Sequence, residues 1–176
     1  MPGNAEPPHA SKPPVNTPPK TAPSYREITW DDLLPKDWDP LAAFKDMDFS
    51  QIRDDDPRAI AALQKLKTAW DDAPIETSLD GQRIRLAGFV IPLDSEEQNV
   101  SEALLLPYFG ACIHSPPPPA NQIIHVVFAK PAAKMRMMDA FWISGKLTAQ
   151  RGDSGLGVHG YLLSAERVEL YEAPPE

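Results

Sequence analysis

The chain contains a single cysteine, Cys112, among its 176 residues. An internal disulfide is therefore excluded, and cysteine pairing cannot indicate the redox compartment. The chain also lacks an apolar stretch near the ~20 residues that cross a bilayer as a helix. Residues 1–4 have neither the basic nor the apolar region of a signal peptide. We therefore expect either a cytoplasmic protein or one whose export signal lies outside this sequence.

Basic residues are scarce. The 17 lysines and arginines stand against 25 aspartates and glutamates, which gives a formal net charge of −8. A protein that binds a nucleic-acid backbone needs a dense basic face, so nucleic acid is not an expected partner. The excess of acidic residues favours cationic partners, or serves solubility alone.

Proline, by contrast, is abundant, and eight of the 21 prolines fall within residues 1–24. This segment has almost no bulky apolar side chains, so it cannot bury enough surface to offset its ordering entropy. We predict a disordered, extended linker over 1–24 and a single globular domain over 25–176. The linker is either a tether from an upstream lipid anchor or a frayed terminus.

Residues 25–75 are predicted to form a helical extension of the domain. Thr29 is followed by acidic residues, as at the start of a helix, and Asp56 precedes Pro57 in the arrangement of an N-cap and first helical residue. From there, apolar side chains recur at helical spacing, at Ile60, Leu63, Leu66 and Trp70.

Residues 76–176 are predicted to form a β-barrel. Alternating or continuous apolar patterns predict strands over 82–91, 123–129, 141–149 and 160–171, and residues 101–108 supply either a fifth short strand or a helical turn. Gly88 and Gly145 lie inside strands, where glycine marks a bulge or a tight corner. The glycine-rich residues 151–160 are predicted to be the hairpin loop between the last two strands. The expected fold is mainly β, a small OB-like antiparallel barrel with an α-helical N-terminal extension.

The residues around Cys112 carry the most specific pattern in the chain. Cys112 and His114 are two positions apart, so both side chains project to one side of an extended backbone and could reach one metal ion. A buried, inert cysteine beside a backbone-bonded histidine is the alternative. His125 and His159 are candidates for further ligands, although neither has diagnostic spacing. The four prolines 116–119 predict a polyproline II arm.

The segments Tyr108–His114 and Pro116–Gln122 resemble the hallmark of a bacterial envelope and lipoprotein family, the domain of unknown function 3299. The resemblance extends to 28–35, 86–93 and 168–171, and so covers nearly everything after residue 24. It implies exported proteins or lipoproteins of Gram-negative bacteria, some encoded beside metal-type ABC transport components. It thus implies a periplasmic location, with membrane attachment only through an N-terminal anchor that is not in this chain. No catalytic residues carry over.

Two functional classes lead, and both are non-catalytic. The first is a periplasmic metal-handling or transporter-associated binding protein that takes zinc, or alternatively copper, and works with an envelope transporter or another metal-binding protein. The second is a protein-interaction module of the envelope that docks through its proline-rich loop. The residues expected to form its docking surface are Tyr108, Pro116, Pro117, Pro118, Pro119 and Asn121. An enzyme with Cys112 as nucleophile ranks well behind both, since a base two residues away on one strand seldom meets it productively.

Overall fold

The computed structural model describes residues 22–45, 48, 50–94, 99–111 and 117–173. Its strands are β1 (Arg26–Glu27), β2 (Arg83–Pro92), β3 (Val100–Leu106), β4 (Ile124–Ala132), β5 (Ala140–Asp153) and β6 (Val158–Leu170). The α-helix α1 spans Pro57–Asp71, and 3₁₀ turns span Trp30–Leu33, Ala42–Phe44 and Ala120–Gln122. Within these ranges, no helix has both the length and the apolar character that a membrane crossing requires. The predicted linker falls mostly in residues 1–21, outside the described part.

Five strands close into a barrel in the order β2-β3-β4-β6-β5, and β5 pairs back with β2. All neighbours are antiparallel except β4 and β6, which run parallel. The predicted OB-like barrel is therefore confirmed, and residues 100–106 do supply the fifth strand.

Alternation along each strand fills the barrel interior. In β2, for example, the even-numbered residues 84 to 90 are buried, whereas the odd-numbered residues 85 to 89 are half-buried and face outward. Gly145 lies where β5 shifts register against β6, and a Cβ there would collide with the Ser164 carbonyl. Gly88 is similarly tight, since a Cβ would lie 2.8 Å from the Leu106 carbonyl oxygen. Both glycines thus permit the close strand approach that their mid-strand positions predicted.

The N-terminal segment 25–34 is fixed to one end of the barrel. β1 pairs parallel with β2, and Leu33 is fully buried in the main core. The Trp30 indole donates a hydrogen bond to the Ala87 carbonyl at 2.8 Å. The buried Tyr161 hydroxyl donates to the Leu33 carbonyl and accepts from the Glu76 amide, each at 2.6 Å.

The expected helical extension over 25–75 is not confirmed as such. It contains one α-helix and two short 3₁₀ turns, joined by irregular segments. Helix α1 begins as predicted, since the Asp56 side chain accepts a hydrogen bond from the Arg58 amide and Pro57 is the first helical residue. The first half of its predicted apolar stripe is exposed, since Ile60 is 55% and Leu63 58% exposed, whereas Leu66 and Trp70 are half-buried.

A second apolar cluster covers the outside of the barrel over β2 and β3. We call it the outer apolar cluster, and it consists of Ile91, Leu104, Leu106, Ala111, Ile123 and Met138. Leu104 and Leu106 alternate with the interior residues of β3, so they point away from the core. The connection between β3 and β4, which includes the hallmark segment, therefore begins and ends against the outer face of the sheet.

Candidate functional site

Part of the hallmark segment lies outside the described residues. Cys112, His114 and Pro116 fall within the undescribed stretch 112–116. The residues on either side of it are described. Ala111 is fully buried in the outer apolar cluster, which also contains Ile123. On the far side, Ile123 Cδ1 and Pro117 Cβ lie 3.2 and 3.5 Å from the point where a Cβ on Gly157 would be. Pro117, after the stretch, therefore lies close to Ile123, and Ala111, before it, belongs to the same cluster as Ile123.

The remaining prolines and Asn121 are partly interior. Pro119 has φ −55° and ψ 152°, close to the predicted polyproline II geometry. Pro118 is buried, while Pro117 and Pro119 are half-buried. Asn121 is fully buried, and its side-chain nitrogen donates a hydrogen bond to the Pro74 carbonyl at 3.0 Å. Among the described residues proposed for docking, Tyr108 is the most exposed, at 45%.

His125 lies on the outer face of β4, between the buried residues Ile124 and Val126. Its neighbours across the sheet are Leu104 on β3 and Leu162 on β6. Its Nε2 atom is 3.2 Å from a carboxylate oxygen of Glu102, and its side chain is 20% exposed. His125 is thus a partly buried imidazole held by a carboxylate.

His159 is at the start of β6, opposite Gly152 of β5, and is only 6% exposed. The ring lies directly on Gly152, since a Cβ there would be 2.5 Å from His159 Nε2. The other ring nitrogen, Nδ1, is buried and has no hydrogen-bond partner among the described residues. Buried polar atoms normally have a partner, so this nitrogen requires an explanation.

The structure brings His125 and His159 together, and we call them the histidine pair. Their ring centroids are 4.9 Å apart with the planes tilted by 56°. Burial lowers the pKa of His159, and the nearby His125 lowers it further, against an opposing effect of Asp153. His159 is therefore neutral at pH 7, and one of its nitrogens carries a free lone pair.

Imidazole side chains are suited to bind a borderline metal ion such as Zn²⁺ or Cu²⁺. A structural zinc site needs four protein ligands and a catalytic site three. Within the part of the chain that the structure describes, no group of three or more His, Cys, Asp or Glu side chains is placed to hold a metal. The histidine pair therefore offers two of the four protein ligands that a structural zinc site needs.

Sequence reasoning named both histidines but not their proximity, and it missed Glu102. His125 and His159 are 34 positions apart, and only the parallel pairing of β4 with β6 brings them together. Glu102 comes next to His125 through the register of β3 on β4, which the alternation pattern of a single strand cannot reveal.

A family model described as "Protein of unknown function (DUF3299)" matches residues 30–170. The solved structures include a crystal structure of a DUF3299 family protein from Pseudomonas aeruginosa PAO1, which shares 32% sequence identity with this chain. The match covers 87% of this chain and 100% of that one, with a TM-score of 0.68. No curated protein matches the chain.

Proposed function

The chain belongs to the DUF3299 family, and from that premise we propose that it is a periplasmic metal-handling protein that binds zinc, with copper as the alternative. The ligands are the histidine pair together with Cys112 and His114 of the hallmark segment. The imidazoles of the histidine pair and the hallmark cysteine then all serve as metal ligands. None of them takes part in a catalytic step.

The observation that carries the proposal is the buried Nδ1 atom of His159, which lies beside the ring of His125 and has no hydrogen-bond partner in the described part of the chain. A buried nitrogen without a partner costs free energy, on the order of 1–3 kcal/mol. A bound metal ion removes that cost, because it accepts the lone pair. The lowered pKa of His159 acts in the same direction, since a metal binds only the neutral imidazole.

Chain geometry supports Cys112 and His114 as the remaining ligands. Ala111 belongs to the same outer apolar cluster as Ile123, and Pro117 lies near Ile123, which is two residues before His125 in the sequence. Cys112 follows Ala111 directly in the sequence, and each residue of chain spans at most about 3.6 Å. Thiolate and imidazole are both ligand types that zinc binds in proteins.

The proposed setting is the periplasm, with the N-terminal proline-rich segment as a tether to a membrane anchor. The partner in this setting is an envelope transporter of the metal-type ABC class, or a metal-binding protein that serves it. The net charge of −8 supports a cationic cargo, because it raises the local concentration of cations around the protein.

The test is a thermal melt with and without zinc on protein purified without a histidine tag. At a free zinc concentration 100 times the dissociation constant, binding stabilises the fold by about 2.7 kcal/mol, which corresponds to a rise in Tm of roughly 5–10 °C. Alanine variants of Cys112, His114, His125 and His159 should each reduce the shift. The matched control is His9→Ala, which removes the one remaining histidine of the chain and should leave the shift intact.

A second function, docking of a protein partner, is favoured by one specific observation. Phe109 is 68% exposed and rests edge-on against Phe89, with ring centroids 5.9 Å apart. Large exposed aromatic side chains are typical of binding hot spots. In this case zinc leaves Tm unchanged, and Phe109→Ala abolishes a specific cross-link to a purified envelope component that the unaltered protein forms.

A further inference from the structure

A cleft opens between β4 and β6 at one end of the barrel. The two strands pair as far as Phe128 and Ala165, and beyond these residues the described part of β4 pairs only with β3 and that of β6 only with β5. Each strand bulges where this pairing ends: residues 128–131 of β4 face a single residue of β3, and Glu166 of β6 is an extra residue against β5. Bulges bend strands and are frequent at barrel rims and beside active sites. We call the opening the β4–β6 cleft.

The floor of the β4–β6 cleft is the main core. Phe128, Phe141 and Ala165 are core residues that line the cleft, and Val168, which also lines it, packs against the same core. The cleft has a volume of about 630 Å³. Small-molecule sites typically enclose roughly 300–1,000 Å³, have mostly apolar linings with a few polar groups, and are found at the mouths of β-barrels. The cleft therefore has the size, the lining and the position of a small-molecule site.

The charged side chains that line the cleft are Lys130, Glu166 and Arg167. The carboxylate is already engaged, since Glu166 accepts a hydrogen bond from the Tyr25 hydroxyl at 2.7 Å and pairs with Arg83 at 3.3 Å. Arg167 is paired with a glutamate of its own strand at 2.8 Å. Lys130 is exposed and has no acidic partner among the described residues. The rim thus offers an anion one ammonium group that no carboxylate of the described chain neutralises.

The edges of the cleft disfavour an added peptide strand and favour a simple chain. Pro131 of β4 has no backbone N–H, and both proline and lysine on a strand edge oppose pairing with another chain. An acyl chain needs no backbone partner and is stabilised by burial on an apolar floor. The β4 side of the cleft, residues 128–132, extends over roughly 13 Å at about 3.3 Å per residue, so an elongated chain fits along it.

We propose that the β4–β6 cleft binds a free fatty acid, whose acyl chain lies over Phe128 and Phe141 and whose carboxylate pairs with Lys130. The site uses none of the proposed metal ligands, so it stands or falls independently of zinc binding. The fatty acid needs one straight apolar chain and one negative charge, which are the two features that the floor and the rim of the cleft recognise.

The experiment is isothermal titration of the full chain with dodecanoate, below the concentration at which dodecanoate forms micelles. One dodecanoate should bind per chain. Each CH₂ group that is buried contributes about 0.8 kcal/mol, so from octanoate to dodecanoate the Kd should fall by up to about fourfold per added CH₂. Dodecyltrimethylammonium, which has the same chain and the opposite charge, should bind more weakly than dodecanoate.

Variants locate the binding in the cleft. Lys130→Glu should raise the dodecanoate Kd by about three- to tenfold, because an exposed ion pair is lost and a like charge replaces it. Lys65→Glu is the matched control: it changes the net charge equally at an exposed position of α1 outside the cleft and should leave the Kd unchanged. Ala129→Trp places a bulky side chain in the lining at an exposed position, so it should abolish binding while the melting curve is retained.

Three results would overturn the proposal. The first is a dodecanoate Kd that does not depend on chain length. The second is equal binding by the unaltered protein, Lys130→Glu and a folded Ala129→Trp variant. The third is sedimentation of the protein with phosphatidylglycerol vesicles without any binding of dodecanoate, because the protein then recognises a lipid surface instead of a single fatty acid.

Discussion

Tyr161 connects three separate parts of the chain through one hydroxyl group. The ring is fully buried in the barrel, and the hydroxyl bonds to the Leu33 carbonyl and the Glu76 amide. It therefore joins the N-terminal segment and the approach to β2 to the interior of β6. Burial raises the pKa of Tyr161 to about 12, because the phenolate would have to form in the core.

Tyr161→Phe should destabilise the fold by about 1–3 kcal/mol, since it leaves the Leu33 carbonyl and the Glu76 amide without their partner. Urea melts at pH 7 measure this loss. The control is Tyr171→Phe, because Tyr171 is 37% exposed and its hydroxyl joins no such network; this variant should be close to neutral. Equal losses in the two variants would contradict the role assigned to the Tyr161 hydroxyl.

The raised pKa also predicts a dependence of stability on alkaline pH. The unfolded chain loses the Tyr161 proton near pH 10, whereas the folded chain keeps it up to about 12. Between these values the unfolded state binds fewer protons, so the unfolding free energy falls as pH rises, by at most about 1.4 kcal/mol per pH unit. The stabilisation that the protonated Tyr161 hydroxyl gives the fold is therefore fully present below pH 10 and is lost by about pH 12. In Tyr161→Phe this part of the slope should be absent.

Gly145 is the position in β5 where no side chain fits. A Cβ would collide with the backbone of Ser164 in β6, which cannot move aside as a flexible side chain would. Gly145→Ala should therefore lower the unfolding free energy by roughly 3 kcal/mol or more. Gly157→Ala is the matched control: its Cβ would meet only side-chain atoms, at 3.2 and 3.5 Å, so denaturant melts should show a much smaller change.

The segment 25–34 lies outside the five barrel strands but contributes side chains to the main core. It places Ile28 and Leu33 in the main core and the Trp30 indole on a β2 carbonyl. Removal of residues 1–24 should leave the denaturant midpoint unchanged. Removal of 1–35 should cost at least about 3 kcal/mol, because two buried aliphatic side chains are lost. A large loss from the shorter truncation would show that residues 1–24 contribute to the fold.

Strands were predictable from the sequence, whereas the packing of helix α1 was not. Alternation of apolar residues predicted β2 and β6 closely, because one face of each is buried. Asp56 and Pro57 predicted where α1 begins, since capping is a local interaction. Ile60 and Leu63 have the spacing of a buried stripe but are exposed, and a periodic pattern does not specify which surface, if any, the stripe contacts.

The candidate site depends on strand register, which a single sequence does not encode directly. His125 and His159 were recognisable as metal-ligand types, but their 4.9 Å separation follows from the pairing of β4 with β6. Glu102 had no sequence signal, because its contact with His125 depends on the register of β3 on β4. Cys112 and His114 were the most conspicuous residues in the sequence, and their part in the site stays a prediction.

At the scale of the whole molecule, the protein is an acidic OB-like barrel, and the outer face of the barrel carries the outer apolar cluster and His125. In OB folds generally, the middle strands of the barrel and adjacent loops are a common place for ligand binding. The outer face of β3 and β4, with Glu102 and His125, corresponds to that position. A single zinc ion bound by the proposed ligands would link the segment between β3 and β4 to strands β4 and β6.

X-ray absorption at the zinc edge of the zinc-loaded protein tests the proposed metal site. We predict one zinc per chain with imidazole nitrogens at about 2.0–2.1 Å and one sulfur at about 2.3 Å. His125→Ala and His159→Ala should each lower the imidazole contribution, and Cys112→Ala should remove the sulfur. A zinc shell made only of oxygen atoms, or one identical in the unaltered chain and the His159→Ala variant, would contradict the account.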